Sequence, residues 1–192
     1  MPGWEAALIQ TGFIGMGLGL ALGLPAYLRR RWPGVFTPRL GAHDGRRLDL
    51  LVVVTVVGGF WLSWTAGSPI AIDHLAAREA GWRALNGVSG AWALITVASV
   101  AALRRPASPR APRQFVAALA WVGSGSLFAW GGWRLAITLY LSATRPHDVT
   151  MPENLGVAAL LHALALLSGA TVARALARGA AGIHEPLGRD RA

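Results

Sequence analysis

From Arg104 to Leu141 the chain reads RRPASPRAPRQFVAALAWVGSGSLFAWGGWRLAITLYL. Four arginines and three prolines fill the first ten of these residues, and the 27 residues from Phe115 onward carry a single charge, Arg134. About 20 apolar residues in a helix cross the ~30 Å hydrocarbon layer of a bilayer, so Phe115 to Leu141 is long enough to span it with some tilt. The basic, proline-stiffened segment before it cannot enter that layer. It marks a loop, and it sets the pattern for the rest of the chain.

Working outward, the same alternation recurs. Apolar spans are expected at about Ala6 to Leu28, Leu48 to Ala66, Ala84 to Leu103, Phe115 to Leu141 and Asn154 to Ala173. Fourteen of the eighteen arginines lie between or after them, in Arg29 to Arg47, Arg104 to Arg113 and Arg174 to Arg191. Cytoplasmic loops retain an excess of Lys and Arg, so these three stretches are read as cytoplasmic and the two charge-balanced loops as external. The expected fold is therefore an all-α, five-span transmembrane bundle with its N-terminus outside and its C-terminus in the cytoplasm. Residues 1–178 form the membrane domain and 179–192 a polar cytoplasmic tail. Glu5 precedes the first apolar run and Arg29, Arg30 and Arg31 follow it, the reverse of a cleaved signal peptide.

Composition agrees with lipid as the solvent: 54% of residues are hydrophobic and 14% charged. The net charge of +9 is confined to loops rather than spread over a water-soluble face, which argues for anionic lipid headgroups as its counterpart and against nucleic acid. All the basic residues outside His are Arg, and Ala and Gly are abundant, as in a high-GC bacterial coding bias. The expected location is the bacterial cytoplasmic membrane. Absence of Cys removes disulfides, thiolate metal sites and dithiol redox chemistry.

Two features of the spans point to contacts. Gly15, Gly19 and Gly23 share one face of the first span, where small residues let a neighbouring backbone approach, either within the bundle or in a homo-oligomer or partner. Trp4, Trp61, Trp64, Trp82, Trp130 and Trp133 fall toward the external side and read mainly as an aromatic belt at headgroup level, the alternative being a hydrophobic pocket for a lipid-like ligand.

The candidate site is built on Arg134 and His162. Each lies two turns or so inside the external ends of adjacent, antiparallel spans, which puts them at similar depth, roughly 10 to 12 Å below the surface at 1.5 Å per residue. Ionisable groups at that depth tend to face the interior or a wet cavity. Asp73, His74, His147, Asp148 and Glu153 from the external loops, with Arg83 and Asn86 at the head of the third span, could complete a polar pocket. The competing reading has Arg134 snorkelling to the headgroups and His162 bonded to a backbone carbonyl. No H-E-x-x-H, G-x-S-x-G or phosphate-binding loop is present, so no catalytic residue, metal or cofactor is assigned.

The run Trp61 to Gly67 (WLSWTAG), the pair Trp82-Arg83, Ala120-Trp121-Val122-Gly123 and Trp130-Gly131-Gly132 give the segment Phe60 to Ala177 a loose resemblance to a family of small multi-span bacterial membrane proteins from high-GC lineages. Members of that family have about four spans and no assigned activity. The resemblance implies membrane localisation, with the first span and its basic loop as an extension. The functional expectation is a non-catalytic or accessory membrane component, or alternatively a small-molecule or lipid-binding or lipid-modifying protein with an outward-facing pocket around Arg134 and His162.

Overall fold

A computed structural model describes residues 11, 23, 26–28, 30–36, 38, 46–105, 112–146 and 149–181. Four long helices account for most of them: α1 Arg46–Thr65, α2 Ala80–Leu103, α3 Arg113–Thr144 and α4 Leu155–Ala181. Short 3-10 turns occur at Pro33–Phe36 and Leu75–Ala77. The described residues contain no strand, only an isolated antiparallel bridge between Ile72 and Glu153.

Three helices are long and apolar enough to cross a membrane, at Ala80–Leu103, Arg113–Thr144 and Leu155–Ala180. The apolar part of α1, Asp49–Thr65, is shorter, because Arg46, Arg47 and Asp49 occupy its first turn. The expected first span, 6–28, lies mostly outside the described residues, as do Gly15 and Gly19. The helix expected to end near Ala173 continues through Arg174 and Arg178 to Ala181. Arg is a good helix former and a cation in the last turn complements the helix dipole, so nothing in that stretch stops it.

The helices pack in chain order, with α1 on α2, α2 on α3 and α3 most closely on α4; the α1–α4 seam is looser. Glycines set the tight seams. A Cβ on Gly131 would stand 2.8 Å from Leu166 N and 2.9 Å from His162 O, and one on Gly169 would stand 2.5 Å from Phe128 N. Backbone therefore lies against backbone where α3 and α4 cross, as small residues permit in lipid. The turn Pro33–Phe36 packs across α3 and α4, where Trp121 Nε1 donates to Val35 O at 3.0 Å.

Two apolar clusters fill the interior. One gathers Leu51, Val100, Leu103, Ala117, Ala120, Val172 and Leu176 at the arginine-rich end. The other gathers Val54, Val57, Trp61, Trp64, Ala93, Leu127, Leu161 and Ala165 toward the opposite end. Trp61 and Trp64 are completely buried, so they form no lipid-facing belt. Val54, Val57, Trp61 and Trp64 recur at helical spacing on one side of α1, and that side is its packed side. Trp133, 63% exposed, keeps the position a belt residue would have.

The two connections opposite the arginine-rich end are stitched together. α1 ends at Thr65 and is closed by Gly67, whose φ of 98° is natural for glycine, with Ser68 N on Ser63 O and Gly67 N on Trp64 O satisfying terminal carbonyls. Arg78 Nη1 then binds the carbonyls of Gly67 and Ser68. Asp73 N and His74 N both donate to Pro152 O, and Asn154 N donates to Ala71 O. Asn154 also caps α4, its Oδ1 accepting from Gly156 N and Val157 N at 3.1 Å. The result places Glu153 at the mouth of the bundle, between both connections and the helices.

Candidate functional site

Glu153 is the centre of the site. Its carboxylate is 1% exposed and bonded on both oxygens. Arg134 Nη2, from α3, lies 2.6 Å from Oε1, and Trp82 Nε1, from α2, donates to Oε2 at 2.6 Å. Arg134 also sits over the Trp130 ring, its guanidinium carbon 5.9 Å from the centroid. A buried carboxylate or guanidinium alone is costly, and each here is tolerable because the other, with the indole N–H, satisfies it. The carboxylate pins two helices and the start of a third with one side chain.

Arg134 therefore does not snorkel to the headgroups. Its side chain is 15% exposed and its charge is directed inward to a carboxylate. A short ion pair in a low-dielectric setting outweighs an extended reach to water.

Beneath the pair lies an aromatic stack. Trp82 and Trp64 have ring centroids 5.8 Å apart, and Trp64 Nε1 donates to Ile70 O at 2.8 Å. Trp61 packs on His162 with centroids 5.8 Å apart and planes 34° from parallel. His162 is 1% exposed and neither ring nitrogen has a hydrogen-bond partner; Trp61 Nε1 has none either. The expected bond from His162 to a backbone carbonyl is thus not made.

Above the pair a cavity of about 270 Å³ opens between the connections. Asp73, His74, Arg145, Thr150 and Glu153 supply its polar lining, and Leu141, Met151 and Leu155 part of the apolar one. Asp73 is held by Asn154, whose Nδ2 donates to Asp73 Oδ2 at 3.0 Å. Arg145 has φ 44°, a left-handed turn that ends α3 and swings the chain over the cavity.

The structure brings together Arg134, Glu153 and His162 at depth, and Asp73 and His74 at the cavity. It leaves out two others. Arg83 is exposed and meets the bundle through its carbonyl, which accepts from Thr65 Oγ1. Asn86 is buried, but its amide donates to Trp82 O one turn back in α2. His147 and Asp148 lie outside the described residues. Gly23 is exposed, with open space where a Cβ would stand. Trp82 and Trp61 belong to the site although the sequence reads them mainly as belt residues, and Arg145 lines the cavity without a sequence signal for it. The shared helix face of Trp61 and Trp64 with Val54 and Val57 was the available signal for the first step.

Among the described residues no group of three or more His, Asp or Glu side chains is placed to hold a metal ion. Comparison with known proteins returned no matching family model, no matching curated relative and no matching solved structure.

Proposed function

We propose that this protein is a membrane-embedded binding component that admits a small polar molecule or a lipid headgroup to the cavity above Arg134 and Glu153. The observation that carries this reading is the pairing of Arg134 with Glu153 inside the bundle, directly beside a cavity that Glu153 itself lines. A charge pair retained at such a place is costly to stability compared with apolar packing, which favours a role in recognition. The mixed lining of Asp73, His74, Arg145 and Thr150 suits a ligand bearing both polar and apolar parts.

The same reading takes α1 and the segment 6–28 as spans, making five, with the N-terminus and the cavity facing outward. The location is the cytoplasmic membrane of a bacterium, as the family resemblance also implies. Arginine placement supports this orientation: Arg104, Arg105, Arg113, Arg174 and Arg178 all fall at the end of the bundle away from the cavity. Association with a second copy or another membrane protein through the Gly15, Gly19 and Gly23 face is a further reading, favoured by the open space beside Gly23.

Native mass spectrometry of protein extracted in mild detergent tests the binding role. A retained small-molecule or lipid adduct is expected on the wild type and at least about fivefold less of it on Thr150→Trp, which fills the cavity. An adduct of equal abundance on both, or none on either, would count against it.

A further inference from the structure

The mechanism of recognition has a second, deeper layer in the unpartnered groups beneath Glu153. His162 and Trp61 are buried, stacked on one another, and present Nδ1, Nε2 and Nε1 with no hydrogen-bond partner. Buried polar atoms are nearly always satisfied, so three such atoms in one contact call for an explanation. Arg134 lies about one helical turn beyond Gly131, where α3 meets the backbone of His162. Trp61 sits in the apolar cluster with Val54, Val57, Leu127 and Leu161, and among the described residues none hydrogen-bonds to either ring.

The chemistry of these groups is one-sided. An indole offers only a donor, a neutral imidazole one donor and one acceptor, and a guanidinium five donors. Against them stands one carboxylate, Glu153, already bonded to Arg134 and Trp82. The set is short of acceptors, and an anionic oxygen pair is what it lacks. Glu153 has somewhere to go: it lines the cavity that Arg145 and His74 also line.

We propose that a ligand carboxylate enters from this cavity, replaces Glu153 as the partner of Arg134, and accepts hydrogen bonds from Trp61 Nε1 and His162. Glu153 swings toward Arg145 and His74, so one ion pair is exchanged for another and no charge is left bare in the core. Its backbone stays in place through the bridge to Ile72. The inference rests on the reading of the cavity as a ligand entrance and names the ligand's chemistry. The carboxylate could belong to a short, water-soluble acid or to a fatty acid whose chain stays in the bilayer.

Calorimetric titration of the full chain in phosphatidylcholine nanodiscs, with butyrate and separately with laurate, tests the exchange, using empty nanodiscs as reference. Saturable binding near one acid per chain is expected for at least one of the two. Butyrate alone identifies a soluble acid and laurate alone a fatty acid. Arg134→Gln should abolish the binding. Trp61→Phe, which keeps the ring and removes only the N–H, should weaken it about tenfold, since a hydrogen bond to a charged acceptor is lost. His162→Phe should act in the same direction. The Trp61 variant keeps the test decisive if Arg134→Gln does not fold. Binding indifferent to Trp61→Phe and His162→Phe would overturn the proposal, and so would no binding of either acid. If neither acid binds while the adduct in native mass spectrometry still depends on Thr150, the cavity reading stands and the carboxylate site falls.

Discussion

Glu153 concentrates more of the fold on one side chain than any other residue of the site. Its carboxylate joins Arg134 on α3 to Trp82 on α2 while its backbone pairs with Ile72. Removing one partner of a buried ion pair leaves the other charge uncompensated, so Glu153→Gln is expected to cost about 3 to 5 kcal/mol. Trp82→Phe removes one donor to a charged acceptor and should cost about 1.5 to 3 kcal/mol. The double variant Arg134→Leu with Glu153→Leu should lose less than Glu153→Gln alone, because no charge then stays buried. Thermal unfolding in one detergent orders the three; a double variant weaker than the single would contradict this view of the pair. Arg134 as the exceptional charge was legible in the sequence, since it is the one arginine inside an apolar span. Its partner was not, because Glu153, Asp148 and Asp73 are equally placed in loop sequence and only the stitching of the loops selects among them.

At the level of helices, the closest approach is the crossing of α3 and α4, where Gly131 and Gly169 have opposing backbone atoms within 3 Å of the position a Cβ would take. Gly131→Ala and Gly169→Ala must push the helices apart, and each is expected to destabilise by about 1 to 3 kcal/mol, as overpacked cores do. Gly125, on the same helix, has open space at its Cβ position and is the control. Gly125→Ala should be neutral or stabilise by up to about 1 kcal/mol through helix propensity. Equal effects at all three positions, in a detergent melting series, would mean that the crossing does not depend on the absence of side chains. Arg145, in a left-handed conformation at the end of α3, is a second case. Arg145→Gly removes a cost of roughly 1 kcal/mol for an L-residue in that region and should raise the melting temperature slightly. Glycine spacing drew attention to the first span, where Gly15, Gly19 and Gly23 repeat regularly. Gly131 and Gly169 carry no such repeat within one helix; their pairing is a property of two helices at once.

For the whole molecule, orientation is open to a direct measurement because the chain contains no Cys. Thr150 and Arg105 are both exposed and lie at opposite ends of the bundle. In intact cells, Thr150→Cys should react with a membrane-impermeant maleimide and Arg105→Cys only after permeabilisation. The reverse pattern would invert the proposed topology. Helical class and the positions of α2, α3 and α4 followed from the order of residues, because apolar length and flanking charge act along the chain and need no partner, although α4 runs eight residues past its expected end. Burial of Trp61 and Trp64, the choice of Glu153 for Arg134, and the isolation of His162 came only from the packed bundle. A tryptophan suits both a membrane interface and a core, and a carboxylate pairs with whichever guanidinium the packing brings to it. Which contact forms depends on distances between elements far apart in sequence, and those distances exist only once the helices have met.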